Sequence, residues 1–246
     1  MHEPLNKRLN VRRELKRIKQ DPLERFLDKV FPDYRIGDAR SRYEESYYFY
    51  FRAMERALEQ VSTTVRYRKG PFYVKKYGGK YGPGQRKTAE KLKKLRPFLE
   101  LDINTCALQT RILLDRTVAL SRSFLVGGTL PSFTSFSDHK KFFIKKPNAI
   151  PNNIEYANYM INDTDWFDIS IKFLRDKFIV HAGPKHQKGF AIGWEGDDLA
   201  MIIIVTDKEC PTNFINFNVW RLSYDIEKYL TWFGDYGIKA TDGKLT

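Results

Sequence analysis

Cysteine is nearly absent from this chain: Cys106 and Cys210 are the only two among 246 residues. That excludes a disulfide framework and a cysteine-based zinc site, so both thiols are expected to be reduced and structural. No run of about eighteen apolar residues occurs, so no membrane span and no membrane partner are expected. The start, Met1-His2-Glu3-Pro4-Leu5-Asn6-Lys7-Arg8, leads into further charge and not into an apolar segment, which points to a cytoplasmic location. No internal repeat, P-loop, GxGxxG, His-Glu-x-x-His or nucleophile elbow is present. No metal and no cofactor are therefore expected. The paired carboxylates Asp197 and Asp198 fall in a turn, where a structural role is the simpler reading.

Cations and aromatics, by contrast, are abundant. Lys and Arg number 43 against 30 acidic residues, a formal charge of +13 that attracts polyanions, nucleic acid first among them. The chain is 42% hydrophobic and 15% aromatic, enough for a sizeable core in one domain. Residues 1–37, charged and broken by Pro22 and Pro32, read as an N-terminal arm. Within it Leu23, Phe26, Leu27, Val30 and Phe31 have the spacing of a short helix. Residues 38–236 read as one domain, and 237–246 as a polar tail.

The domain opens with a helix over 38–62, capped by Asp38, whose stripe runs through Tyr43, Tyr47, Met54, Leu58 and Val61. Residues 63–98 change character. Arg66, Arg68, Lys75, Lys76, Lys80 and Arg86 belong to a set of twelve cations countered only by Glu90, with five tyrosines and phenylalanines interleaved. Gly70-Pro71, Gly78-Gly79 and Gly82-Pro83-Gly84 are turn signals, so the segment reads as a hairpin-like loop inserted between two core helices. Such cations follow a phosphate backbone, and aromatic faces stack on unpaired bases. The plainer alternative is a solvated basic loop with its tyrosines packed on the core.

A second helix is expected over 100–126, capped by Asp102 or Asn104 and ended by Gly127-Gly128. Residues 129–150 read as loop, which leaves His139 solvated there; Asn152 to Met160 read as one or two helical turns. A third helix covers 163–182, with Thr164 or Asp165 as its cap. Two apolar segments around Glu195-Gly196-Asp197-Asp198 give a β-hairpin over 189–206, and 213–235 reads as a last helix.

The third helix carries the one chemically suggestive pair. Leu174-Arg175-Asp176-Lys177-Phe178-Ile179-Val180-His181-Ala182 sets a permanent cation six positions ahead of a group that titrates near neutrality, with five residues between them. Arginine matches phosphate geometry, and histidine serves as acid or base. On an ideal α-helix the two lie about 120° apart, so one helix does not stack them. Lys177 is nearer the His181 face, and Lys185, His186 and Lys188 extend a phosphate-binding surface beside it. The structural alternative is a histidine that merely complements a helix end.

Two long helices, an inserted segment and a helix ending in Arg-Asp-x-x-x-x-His resemble the HEPN superfamily. The resemblance covers roughly 38–182. It implies a mainly α helical bundle, here with a small β-hairpin after the motif helix, working as a homodimer whose two motifs face each other. It implies metal-independent endoribonuclease chemistry on RNA by 2′-OH attack. Arg175 would stabilise phosphoryl charge, His181 would act as base or acid, and Asp176 would shape the pocket. It further implies a toxin or antiviral role, with an antitoxin as candidate partner. Some members bind without cleaving, which leaves a nucleic-acid or protein-binding module as the alternative.

Overall fold

The computed structural model describes residues 23–33, 35–76, 80, 82–125, 130, 131, 133, 135–180, 187–195, 198–206 and 214–243. For 62, 65–76, 169, 177, 178, 180, 187–195, 198–206 and 214–217 it describes the backbone alone. The protein is mainly helical. In chain order the elements are α1 (Glu24–Val30), α2 (Ala39–Lys76) and α3 (Pro83–Leu120), then a 3-10 turn (Ser121–Ser123). Next come α4 (Phe136–Lys145), a 3-10 turn (Pro151–Asn153) and α5 (Ile154–Asn162). Two segments of π winding follow, π1 (Asp168–Phe173) and π2 (Arg175–Val180). Strands β1 (Gln187–Glu195), β2 (Asp198–Thr206) and β3 (Phe214–Phe217) precede the last helix, α6 (Val219–Thr241). The strands form an antiparallel sheet in the order β1-β2-β3, with Gln187 opposite Thr206, Glu195 opposite Asp198 and Met201 opposite Phe217.

Helices α2 and α3, each of 38 residues, pair antiparallel as the spine. The 63–98 segment is thus not an inserted loop. Residues 63–76 continue α2 and 83–98 begin α3. Gly70-Pro71 lies inside α2, whereas Gly82-Pro83 sits at a true helix start. There Gln85 Oε1 accepts the Gly82 N–H at 2.8 Å, and Pro83 takes a first-turn position that needs no donor. Local breaker signals were outweighed by a partner helix alongside, because packing contributes more to helix stability than propensity does. Pro97 falls well inside α3.

Asp38 caps α2 as expected, its carboxylate accepting from Ser41 N at 2.7 Å and Arg35 N at 3.2 Å. Those backbone donors, Ser41 first, hold its pKa below the usual carboxylate value. Asp102 is no cap: it lies inside α3 and pairs with Arg56 of α2 at 3.1 Å. The 129–150 stretch is not all loop either. Ser135 Oγ accepts Asp138 N at 3.1 Å and starts α4, which buries Phe136, His139, Lys140 and Phe143. Thr164 is no cap for the motif helix, since its hydroxyl donates back to Met160 O. The last helix begins later than its apolar spacing suggests. Phe214–Phe217 goes to β3, and Asn218 caps α6 by accepting Arg221 N at 3.1 Å.

The N-terminal arm and the polar tail both need correction. Leu23, Phe26 and Leu27 are fully buried, so 23–31 belongs to the core. Residues 237–241 continue α6, and Gly237 is buried. The Phe26 ring sits 5.8 Å from Phe124 and 6.0 Å from Phe233, edge to face. Around Phe124 the Tyr156, Phe233 and Tyr236 rings complete one cluster that closes α1, α5 and α6 over the end of α3. Tyr236 donates to Asn153 Oδ1 at 2.7 Å within it.

His139 is not solvated. It is 0% exposed, wedged among Phe133, Phe143 and Tyr156, with Nε2 2.9 Å from Tyr156 Oη and Nδ1 without a hydrogen-bond partner among the described residues. Burial pushes its pKa down to about 3. The folded protein holds it neutral, while the unfolded chain takes up a proton below about pH 6.5. Its contribution is therefore complete above that pH and is lost as pH falls towards 3, at up to about 1.4 kcal/mol per pH unit. Urea denaturation of the wild type and His139→Gln at pH 7 and pH 4.5 should show the wild type losing more stability between the two. A second outcome follows from the aromatic cluster. A Cβ on Gly237 would lie 2.5 Å from Phe26 Cε2 and 3.1 Å from Phe124 Cε1. Gly237→Ala should destabilise by about 1–3 kcal/mol in the same denaturation assay, despite alanine's better helix propensity.

Candidate functional site

Arg175 opens π2, directly after Leu174, which is fully buried. Because the chain winds i→i+5 here, the α-helical angle of about 120° between positions 175 and 181 does not apply to this segment. Winding of this kind is rare and concentrates at functional sites. The buried Phe167, Ile171 and Leu174 hold the segment against the core and leave Arg175 and Asp176 half-buried. Arg175 Nε lies 2.8 Å from Asp176 Oδ1, an ion contact without the alignment of a hydrogen bond. Among the described residues Arg175 Nε has no hydrogen-bond partner, although the side chain is only 26% exposed.

A second charged pair, on α3, sits beside it. Arg111 Nε donates to Asp115 Oδ2 at 3.1 Å, one helical turn on. Asp115 Oδ1 accepts the Phe136 N–H at 2.7 Å, so a carboxylate of α3 holds the first turn of α4. The Arg111 side chain is 7% exposed, its Cζ stands 4.9 Å over the Phe167 ring, and its Nη1 is buried without a hydrogen-bond partner among the described residues. Burial pushes the Asp115 carboxyl above the usual carboxylate value, while Arg111, the Phe136 N–H and the charge of Arg175 act in the opposite direction. Arg175 is thus close enough to Asp115 to act on it electrostatically. Two guanidiniums and two carboxylates are gathered where α3, the start of α4 and π2 meet.

A third charged group braces the approach to π1. The Lys140 ammonium, on a side chain 4% exposed, donates to Asp168 Oδ2 at 2.7 Å and to Asp165 Oδ1 at 3.0 Å. Asp168 and Asp165 thereby hold a buried cation from α4, in place of the capping roles their positions suggest.

Of the residues singled out by sequence, Arg175 and Asp176 are brought together. His181 and Lys185 lie outside the described residues, as do His186 and Cys210. Lys177, Arg66, Arg68, Lys75 and Lys76 have a described backbone only, the last four on the distal part of α2. Lys80 and Arg86 are exposed near the reversal between α2 and α3, so they do not join Arg175. Sequence reasoning missed Arg111, Asp115 and Lys140. A signal for the first two existed: a charged pair at i and i+4 within the otherwise apolar stretch Ile112-Leu113-Leu114 and its flanks. Among the described residues no three His, Cys, Asp or Glu side chains gather as metal ligands, and no helix is long and apolar enough to cross a membrane. No protein-family model matches this chain, and it matches no curated protein and no solved structure.

Removing Asp115 should expose the cost of a buried guanidinium. Asp115→Asn should lower stability by about 3 kcal/mol in urea denaturation, because Arg111 keeps its charge without a carboxylate. Adding Arg111→Met should recover part of that loss, and a double variant less stable than Asp115→Asn alone would contradict this account.

Proposed function

We propose that the chain is a metal-independent endoribonuclease of HEPN type. The observation that carries the reading is Arg175. A half-buried arginine, set in a rare π turn in ion contact with Asp176 and with its Nε lacking a hydrogen-bond partner among the described residues, has N–H groups to offer a bound phosphate. In this reading the RNA 2′-OH attacks the adjacent phosphate. The 5′-oxygen leaves, and the products are a 2′,3′-cyclic phosphate and a 5′-hydroxyl. Arg175 offsets the charge that develops on the phosphoryl oxygens. His181, six positions on, takes the proton from the 2′-OH or returns one to the leaving oxygen. Asp176, in contact with Arg175 Nε, restricts the directions Arg175 can take. The group at risk in water is thereby held ready before substrate arrives.

The reading includes a second copy of the chain. Phe98, Leu101 and Ile112 are 58%, 57% and 40% exposed on α3. With the half-buried Leu108 they lie on one face of the helix at steps of three, seven and four, with Asn104 and Thr105 in the turn between Leu101 and Leu108, and this face leads along the helix to Asp115. An exposed apolar stripe of this spacing suits pairing with its own copy and supports two Arg175 motifs acting across one interface. A toxin or antiviral role, with an antitoxin partner, belongs to this reading by family analogy alone. The non-catalytic alternative draws on a separate observation, the basic character of distal α2 and α3.

Cleavage of a structured RNA should be lost, by at least about a hundredfold, in both Arg175→Ala and His181→Ala while thermal unfolding is little changed. Wild-type cleavage should persist in EDTA and leave 2′,3′-cyclic phosphate ends. Full activity in both variants would refute the assignment. Salt-sensitive binding without any product would favour the non-catalytic module.

A further inference from the structure

The largest concentration of charge in the molecule lies away from Arg175. Residues 65–98 hold twelve Lys and Arg and one carboxylate, Glu90, so this stretch carries nearly all of the net +13 of the chain. It is helical on both sides of the reversal. Thr64 is the last described buried residue of α2, and Leu99 is the first of α3. From Pro83 to Leu99 the α3 half therefore extends about 24 Å past the core. Its half-buried side, Gln85, Thr88, Ala89, Leu92 and Leu95, is the side turned to α2. Five of its six exposed cations fall on two lines, with Arg96 off both. Arg86 and Lys93 make one, and Lys87, Lys91 and Lys94 make the other, about 120° round the helix. Lys87 and Lys94 are about 10 Å apart along the axis. No carboxylate among the described residues pairs with Arg86, Lys87, Lys93 or Lys94.

We infer that this projecting two-helix arm is a grip for double-stranded RNA, placed to hold a paired segment next to the strand cleaved at Arg175. The inference rests on the ribonuclease reading for its choice of RNA. Charge complementarity specifies a polyanion, and shape specifies the duplex. Single strands are held in grooves floored by aromatic platforms, whereas α3 offers a convex rod with cations on two flanks. Two lines of cations suit two phosphate strands. Duplex RNA is bound mainly through backbone and shape, because its deep groove is too narrow to read. The arm therefore supplies affinity and register, and sequence choice is left to the site.

The test uses the full chain carrying His181→Ala, so that substrate survives. Fluorescence anisotropy is followed with a duplex RNA of about 20 base pairs, one of its strands alone, and the DNA duplex of the same sequence, across a salt series. The RNA duplex should bind most tightly. Lys87→Gln/Lys94→Gln and Arg86→Gln/Lys93→Gln, all exposed changes, should each weaken duplex binding on the order of tenfold and flatten the log–log salt slope by about 0.9 per lost phosphate contact. Single-strand binding should change much less. Unchanged duplex affinity in both variants, an equal loss for the single strand, or a DNA duplex bound as tightly as the RNA one overturns the inference. Arm-dependent duplex binding in a chain whose wild type cuts no RNA would refute the nuclease reading alone.

Discussion

Everything in this structure that positions a functional group depends on one aromatic contact set, the rings gathered round Phe124 at the end of α3. Phe26, Tyr156, Phe233 and Tyr236 reach it from α1, α5 and α6, elements far apart in sequence. Edge-to-face geometry gives these rings a preferred mutual orientation as well as buried area. Gly237 makes the approach of Phe26 feasible, since any side chain there would meet the ring. With that end closed, α4 and the π segments lie against the side of α3, which puts Phe136 over Phe167 and the Asp115 carboxylate under the start of α4.

The charged groups are divided between two environments with opposite logic. Near Arg175 they are few, mostly buried or half-buried, and matched cation to carboxylate: Arg111 with Asp115, Arg175 with Asp176, and the buried Lys140 with Asp168 and the exposed Asp165. Desolvated pairs of this kind do little for net stability, but they fix direction, because turning any one aside leaves a charge uncompensated. On the distal spine the charges are many, exposed and of one sign. There each cation is weakly tied and salt-screened, which suits long-range attraction and not fixed geometry.

The sequence made some of this legible and hid the rest for specific reasons. Asp38 announced its cap because a cap is a local bond between near neighbours. The paired spine was harder to read, because Gly70-Pro71 has the local look of a turn and the partner helix that overrides it lies across the hairpin. Residues 136–145 read as loop from their serine- and threonine-rich lead-in, although Ser135 and Asp138 already spell a helix start. His139 could not be placed by any local rule, since its burial comes from Phe133, Phe143 and Tyr156 on three separate stretches. Arg175 and Asp176 were found from spacing. Asp115 was not, because nothing in the order of residues says that 115 and 175 are neighbours.

Pro97 gives the spine a mechanical character. A proline inside a helix removes one backbone hydrogen bond and presses on the carbonyl four residues earlier, here that of Lys93. It stands two residues before Leu99, where α3 first enters the core. Bending compliance is therefore concentrated at the root of the rod and not spread along it. The rod acts as a lever with its fulcrum at the core surface, so a load at the tip arrives at the base of α3 as a torque.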